Sequence, residues 1–287
     1  MSIEITTAFV EQYKANVQML SQQKGSRLRM AVRNEAITGK SGFFEQIGSV
    51  AARKRPSRHA DTPRMDTPHD RRKVSLIDFD WADLIDQEDK VRLLIDPTSS
   101  YAQAAAWAMG RAMDDELIAA ALGTAYTGES GSTAVTLPAA QKIAVAASGL
   151  TLAKLLSTKE LLDGADVDPD MPRYIAVTSK QVSDLLNTTE IKSSDFNTVK
   201  ALAQGQIDSF MGFKFIRTER LTTDTNGDRQ AFAWAQDGLL LGVGKDMTAR
   251  ISERDDKNYA TQVFSSMTIG ATRMEEVKVV EIACQES

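Results

Sequence analysis

Apolar positions recur at three- and four-residue spacing most clearly between Asp96 and Gly123, where the chain reads DPTSSYAQAAAWAMGRAMDDELIAAALG. Ala102, Ala106, Met109, Met113, Leu117 and Ala120 form one stripe, and Tyr101, Ala105, Ala108, Ala112 and Ala119 a second beside it. The pattern predicts a long helix over residues 97–122, covered on much of its girth. Asp96 can cap its start, Pro97 suits the first turn, and Gly123 suits a left-handed residue past its end. Nine alanines in this stretch favour the helix and permit close approach of another element, with Ala106 and Ala112 as the expected contact points.

Before this helix the pattern is poorer. Ile5, Phe9, Tyr13, Val17 and Leu20 predict a narrow amphipathic helix over residues 3–23. Residues 24–50 carry scattered apolar positions broken by four glycines, which reads as an extended arm that packs on other structure. Residues 53–73, RKRPSRHADTPRMDTPHDRRK, hold eight Lys or Arg, three Asp and three Pro, with Met65 as the one sizeable apolar residue. Such a stretch cannot build a core, and the prolines keep it extended. It is expected to be disordered or a projecting loop. Val74, Leu76 and Asp78 then alternate with Ile77, Phe79 and Trp81, a strand signature, and Val91–Ile95 reads as a second β-rich run. The pair would make a hairpin-like projection with the basic segment.

After Gly123, YTGESGSTAVTLP is turn-rich, and strands alternate with helices up to about residue 245, the mark of an α/β unit. QKIAVAASGL, RYIAVTS and FMGFKFIRTERL read as strands, and TLAKLLSTKELLDG and SKQVSDLLN as helices, with Ser179 as the expected cap of the latter. Residues 196–204 read as a weak helix, and RQAFAWAQDGLLLGVG as a strand and a short helix. MTARISER, ATQVFSSMTIGATR and MEEVKVVEIAC read as three late strands, with Val263, Met267 and Ile269 on one face. These are expected to pair with one another beneath the long helix, which makes the α/β unit an insertion.

Composition is that of a globular protein: 287 residues, 42% hydrophobic and 25% charged, enough for one large domain or two moderate ones. No apolar run approaches the length of a membrane span, and MSIEITTAFVEQYK lacks the basic-then-apolar order of a signal peptide. The one cysteine, Cys284, excludes an internal disulfide and reads as a small buried hydrophobe. Charge changes the picture more. The net charge is −5, yet residues 1–73 hold 14 Lys/Arg against 7 Asp/Glu, a net of +7, which leaves −12 on the remainder. A basic arm on an acidic body suits either nucleic acid or another copy of the same chain.

Chemistry of the enzymatic kind is hard to place. His59 and His69 lie in the basic segment without HExxH spacing. Asp78, Asp80, Asp83, Asp86, Glu88 and Asp89 lack the spacing of a calcium loop and read as an acidic surface able to face a basic neighbour. GLLLGVGKD departs from a phosphate loop in glycine spacing and in having Asp246 after Lys245. GESG at 128–131 is not GxSxG, and no histidine follows it. No catalytic residue, metal or cofactor is assigned.

The order of these parts resembles tailed-bacteriophage major capsid proteins of the Hong Kong 97 type. The residues that carry the resemblance are VQMLSQQKGSRLRMAV, GKSGFFEQIG, RHADTP, the run from RRKVSLIDFDW through AALGTAYTG, and GQIDSFMGFKFIRTERL. The likeness implies an α+β fold with residues 1–52 as N-arm, 53–95 as E-loop, 96–136 and 246–287 as P-domain, and 137–245 as an inserted α/β A-domain. It implies a non-enzymatic subunit of pentameric and hexameric capsomers in an icosahedral or prolate head, assembled in the bacterial cytoplasm around double-stranded DNA held without sequence specificity. Its implied partners are further copies of itself, a portal, and in some relatives a decoration protein. Some relatives carry a cleaved N-terminal scaffolding segment, whereas the arm here begins at once, so either a separate scaffolding protein is used or that segment is absent from this chain. No Lys–Asn cross-link pair can be matched. On this reading Arg53, Lys54, Arg55, Arg58, Arg64, Arg71, Arg72 and Lys73 contact neighbouring subunits, and Asp78, Asp80, Asp83, Asp86, Glu88 and Asp89 supply the acidic counter-surface. Charge asymmetry of this kind suits head-to-tail contacts that close into rings and shells.

Three other readings stand beside it. An encapsulin-like nanocompartment shares the architecture and differs in enclosing cargo proteins. A basic-armed DNA-binding protein would stay monomeric and lose affinity steeply with salt. An α/β enzyme built on residues 137–245 lacks an identifiable nucleophile, base or metal set.

Overall fold

The computed structural model describes residues 21–55, 57–59, 61–62, 64–86, 98–187 and 209–286. The expected helix at 3–23, the caps Asp96 and Pro97, the strand at 91–95 and the weak helix at 196–204 fall wholly or mainly outside them.

Fourteen strands and three α-helices follow in chain order among the described residues. They are β1 (Arg33–Ala36), β2 (Ser41–Ile47), β3 (His69–Ser75), β4 (Ile77–Ile85), α1 (Thr98–Leu122), β5 (Ala125–Thr127), β6 (Thr133–Val135), β7 (Lys142–Ile143), α2 (Leu152–Gly164), β8 (Arg173–Val177), α3 (Ser179–Asn187), β9 (Ser209–Phe210), β10 (Phe213–Arg217), β11 (Arg229–Ala235), β12 (Leu239–Arg254), β13 (Ala260–Arg273) and β14 (Val279–Cys284). They form three sheets, ordered β1-β12-β13-β4, β7-β14-β11-β8-β10-β9 and β2-β3-β5-β6. The chain divides into two compact units, residues 1–26, 78–111 and 245–267 in one, and 27–77, 112–244 and 268–287 in the other.

The larger unit holds the densest core. In its six-stranded sheet, Phe232, Ala233, Trp234 and Ala235 of β11 are sealed from solvent, as are Ile175, Ala176 and Val177 of β8 and Val279, Val280 and Ile282 of β14. Strands buried on both faces read as unbroken apolar runs, as these do. The Trp234 ring lies 5.8 Å from Tyr174 and 4.9 Å from Phe232, and its Nε1–H donates to Ala31 O at 2.9 Å. That bond satisfies the one polar atom of the largest buried side chain. Helix α2 covers the sheet with Leu155 and Leu162 while Leu156 faces solvent. Lys154 on the same helix is buried; its ammonium donates to Val145 O, Ser148 O, Gly149 O and Ala283 O at 2.8–3.0 Å.

The long helix forms as expected, but its buried line is Ala105, Met109, Met113, Leu117 and Ala121, joined by Ile118. Ala106 and Ala112, the expected points of close approach, are only half-buried. Closest approach falls on Gly110 instead: a Cβ there would coincide with the backbone of Gly25 and Ser26. Three local expectations are corrected. Gln236–Gly238 is a tight turn between β11 and β12, so no helix forms there; the run Leu239–Leu241 continues as buried strand because β1 pairs with it in parallel. Of the three late strands, β12 and β13 are neighbours, whereas β14 pairs with β11 and β7 in the other sheet. Thr178 takes the capping role expected of Ser179: its N–H donates to Gln181 Oε1 at 2.7 Å, which is half of a capping box.

Candidate functional site: assembly surfaces

The basic segment lies in a hairpin whose stem begins earlier than its charge suggests. β2 and β3 pair antiparallel from Ser41↔Ser75 to Ile47↔His69, and Gly48 N–H donates to Pro68 O at 2.9 Å to close the neck. The described residues of 49–68 beyond that neck have no regular structure and lie exposed. Arg53, Lys54, Arg55, Arg58 and Arg64 are all on this loop. The Arg64–Asp66 pair, at 3.4 Å and about nine-tenths exposed on both sides, adds little.

Arg71, Arg72 and Lys73 are not on the loop but in β3, and the two-residue period of the strand separates them. Arg71 and Lys73 point outward. Arg71 pairs with Glu45 at 3.1 Å and lies 5.7 Å from the Phe43 ring. Arg72 shares the inward face with Val74 and is buried, its guanidinium 3.1 Å from Glu276. Its partner is therefore within the chain, which removes Arg72 from the expected set of outward contacts. Glu276 also faces Arg273, at 3.7 Å, so two buried guanidiniums share one carboxylate. Arg273 donates to Ala121 O, Gly123 O and Val135 O at 2.8–3.1 Å. It thereby satisfies orphan carbonyls at the end of α1, a helix with no cation in its own last turn. Asp70 beside Arg72 accepts from Thr127 Oγ1 at 2.7 Å; that bond above all holds its carboxyl below the usual range. A depressed carboxyl contributes stability at neutral pH that is lost as pH falls through its lowered pKa.

The acidic strand splits the same way. Asp78, Asp80, Ala82, Leu84 and, just past the strand, Asp86 share the exposed face of β4, while Phe79, Trp81, Asp83 and Ile85 share the other, more buried one. Asp83 thus leaves the acidic face, and Glu88 and Asp89 lie outside the described residues. β4 is an edge strand of its sheet, where charge is a usual guard against unwanted pairing.

Pattern reading missed the carboxylate that holds the arm. Asp114, inside the apolar line of α1 and fully buried, accepts from Arg27 N–H at 3.0 Å and Leu28 N–H at 3.1 Å. In the smaller unit Arg111 donates to Gln22 Oε1 at 2.9 Å and Gln23 O at 3.1 Å, and Lys24 lies 5.5 Å from the Trp107 ring. The spacing of Asp114, three and four positions before Leu117 and Ile118, put an acid on the buried side of the helix but named no partner for it. Cys284 is buried, and burial pushes its thiol up to about 11, so it is unreactive near neutral pH. No helix among the described residues is long and apolar enough to cross a membrane.

A family model described as phage capsid protein matches residues 5–286. The chain belongs to the phage capsid protein family. Its fold is that of solved capsids at low identity. The capsid of cyanophage P-SCSP1u matches with a TM-score of 0.77 at 18% identity, over 99% of this chain and 95% of that one. The capsid of Ralstonia phage GP4 gives 0.76 at 10%, over 98% and 96%. The head of Helicobacter pylori bacteriophage KHP40 gives 0.76 at 10%, over 99% and 98%. No curated protein sequence matches the chain. This capsid protein has the α+β, Hong Kong 97-type fold and is a major capsid protein, a structural subunit whose copies form the shell of the phage head.

Proposed function

We propose that this capsid protein builds pentameric and hexameric capsomers of an icosahedral or prolate head, and that the basic loop of one copy reaches over an acidic surface of the next. One observation carries the reading. The loop beyond the Gly48–Pro68 neck presents Arg53, Lys54, Arg55, Arg58 and Arg64 with almost no apolar residue, and what holds these side chains among the described residues is local to the loop: the weak Arg64–Asp66 ion pair and a hydrogen bond from the Arg55 guanidinium to Arg58 O. A segment with so little of its own to bury gains order from a neighbour. The exposed aspartates of β4 offer the opposite charge.

In this reading residues 1–52 are the N-arm, 53–95 the E-loop, 96–136 with 246–287 the P-domain, and 137–245 the A-domain. Assembly takes place in the host cytoplasm with a separate scaffolding protein and a portal, and a decoration protein can join later. The packaged double-stranded DNA meets the inner surface through phosphate charge without base readout. The subunit performs no catalysis. The test is sedimentation and electron microscopy of the full chain, with and without its scaffolding protein. Closed shells or capsomers, weakened by raised salt because exposed charges are screened over about 8–10 Å, are expected. A chain that stays monomeric under all conditions and binds duplex DNA overturns the reading.

A further inference from the structure

We propose that the stem of the hairpin, and not only its loop, is a docking face: the outer surface of the β2-β3-β5-β6 sheet on one copy receives the exposed face of β4 on the next. This rests on the shell reading above and names the surfaces that meet.

The outer face of the sheet is amphipathic in an unusual order. Cross-strand register aligns Phe43, Lys73, Tyr126 and Ala134 in one row, Glu45 and Arg71 in the next, and Ile47 and His69 beyond. Phe43, Ile47 and Tyr126 are 41%, 68% and 48% exposed. The opposite face of the same sheet is satisfied within the chain, with Val74 packed against Ile37, Leu240 and Met274, and Phe44 against them. The outer face therefore offers three large apolar side chains among Arg71, Lys73 and His69, with Glu45 as its one carboxylate, already paired to Arg71.

The exposed face of β4 has the complementary content. Asp78, Asp80 and Asp86 stand on it with Ala82 and with Leu84, 43% exposed, and Ile77–Asp86 contains no Lys or Arg. Spacing matches as well as sign. Alternate residues of a strand repeat about every 6.7 Å, so aspartates two apart on β4 fall in step with Arg71 and Lys73, two apart on β3. Leu84 then supplies apolar contact for Phe43 or Tyr126, as when two sheets pack face to face. The faces differ from one another, so the contact is head-to-tail, the kind that closes into rings.

The experiment is a charge exchange in the full chain. Arg71→Glu with Lys73→Glu, and separately Asp78→Lys with Asp80→Lys, should each lower the yield of sedimenting particles by about tenfold or more, because like charges then face each other across the contact. Circular dichroism and thermal midpoint report whether the subunit stays folded. Combining all four changes in one chain should bring the yield back to within about twofold of wild type, as a restored opposite-charge contact requires. Independently, Tyr126→Cys with Leu84→Cys should give disulfide-linked chains in oxidised particles, since Cys284 is buried and does not compete. Folded variants with no rescue and no cross-link overturn the proposal while leaving loop-mediated assembly in place. Particles at normal yield with lost DNA retention in the Arg71/Lys73 variant assign the face to nucleic acid and overturn it. A wild-type chain that forms neither particles nor capsomers removes the shell reading itself, and this contact with it.

Discussion

The two ends of β12 belong to one continuous strand and have opposite surroundings. Leu239, Leu240, Leu241 and Gly242 are buried, with β1 paired alongside, whereas every residue from Gly244 to Glu253 is exposed, including Met247 and Ile251. Strand propensity does not distinguish them; what lies over each face does. The first end finishes its core within the chain. The second keeps Met247, Ala249 and Ile251 in one row on one face, with nothing over them among the described residues, and Asp246, Thr248, Arg250 and Ser252 on the other. A subunit that carries both kinds of strand should answer to mutation in two ways: through its own melting at the buried end, and through assembly at the exposed one.

The sharpest break on the buried side is Trp234→Ala. It empties the centre of β11, removes the stack on Tyr174 and Phe232, and leaves Ala31 O without its donor. A loss of about 3–5 kcal/mol is expected, read as a fall in the denaturant midpoint of the unassembled subunit. A loss under 1 kcal/mol would mean that this sheet is not the stabilising core.

Next comes Glu276→Gln. Arg72 and Arg273 keep their positions but lose the carboxylate they share, and both guanidiniums are buried. Burial already pushes Arg273 down, with Glu276 opposing that shift. Leaving two buried cations unneutralised should cost about 3 kcal/mol, towards the low end for a broken buried pair because Glu276 is partly solvated. Since Arg72 sits in β3, protease cutting within residues 48–68 should also quicken. Unchanged cutting and unchanged melting would show that the cluster does not anchor the stem.

Asp114→Ala follows. It leaves the Arg27 and Leu28 N–H groups without their acceptor beside a buried line of α1. About 1–3 kcal/mol is expected for the stranded donors, with faster amide exchange at those two positions than elsewhere in residues 27–36. Equal exchange across the segment would sink the idea that the carboxylate fixes the arm.

These positions also show where sequence reading succeeds. The long helix was legible because its periodic Ala, Met and Leu positions overlap the observed buried line at Met109, Met113 and Leu117. Gly110 and Asp114 were not, since a glycine and an acid inside an apolar stripe carry no propensity signal for the backbone they meet. Leu239–Leu241 was misread because a short apolar run fits helix and buried strand equally. In the candidate site, net charge located the basic segment but not the facing of its members. Arg72 shares the period of Val74, so alternation separated it from Arg71 and Lys73; what it could not supply was Glu276, far away in sequence. The same limit holds for β14, whose partner β11 is fixed by tertiary pairing alone.

The smallest expected effect tests the comparison most directly. Ile251→Ser removes a large apolar side chain from the exposed end of β12, and Leu240→Ala removes one from the buried end of the same strand. Leu240→Ala should cost about 2–5 kcal/mol, because a buried methyl cluster is lost and a cavity remains. Ile251→Ser should stay within about 0.5 kcal/mol for the unassembled subunit, as surface changes do. Ile251 is 55% exposed, so more than half of its area stays in water on folding, and the serine hydroxyl is solvated in either state. Shell formation should reverse this ranking for Ile251. A row of apolar side chains on an otherwise polar strand is stabilised when a neighbouring copy removes it from water, at roughly 25 cal/mol per Å² covered. Particle yield should therefore fall for Ile251→Ser, and fall further with Met247→Ser, while the melting of the free subunit stays the same. Melting that drops alongside yield would place the row in the subunit's own core, and yield that never moves would show that no neighbour covers it.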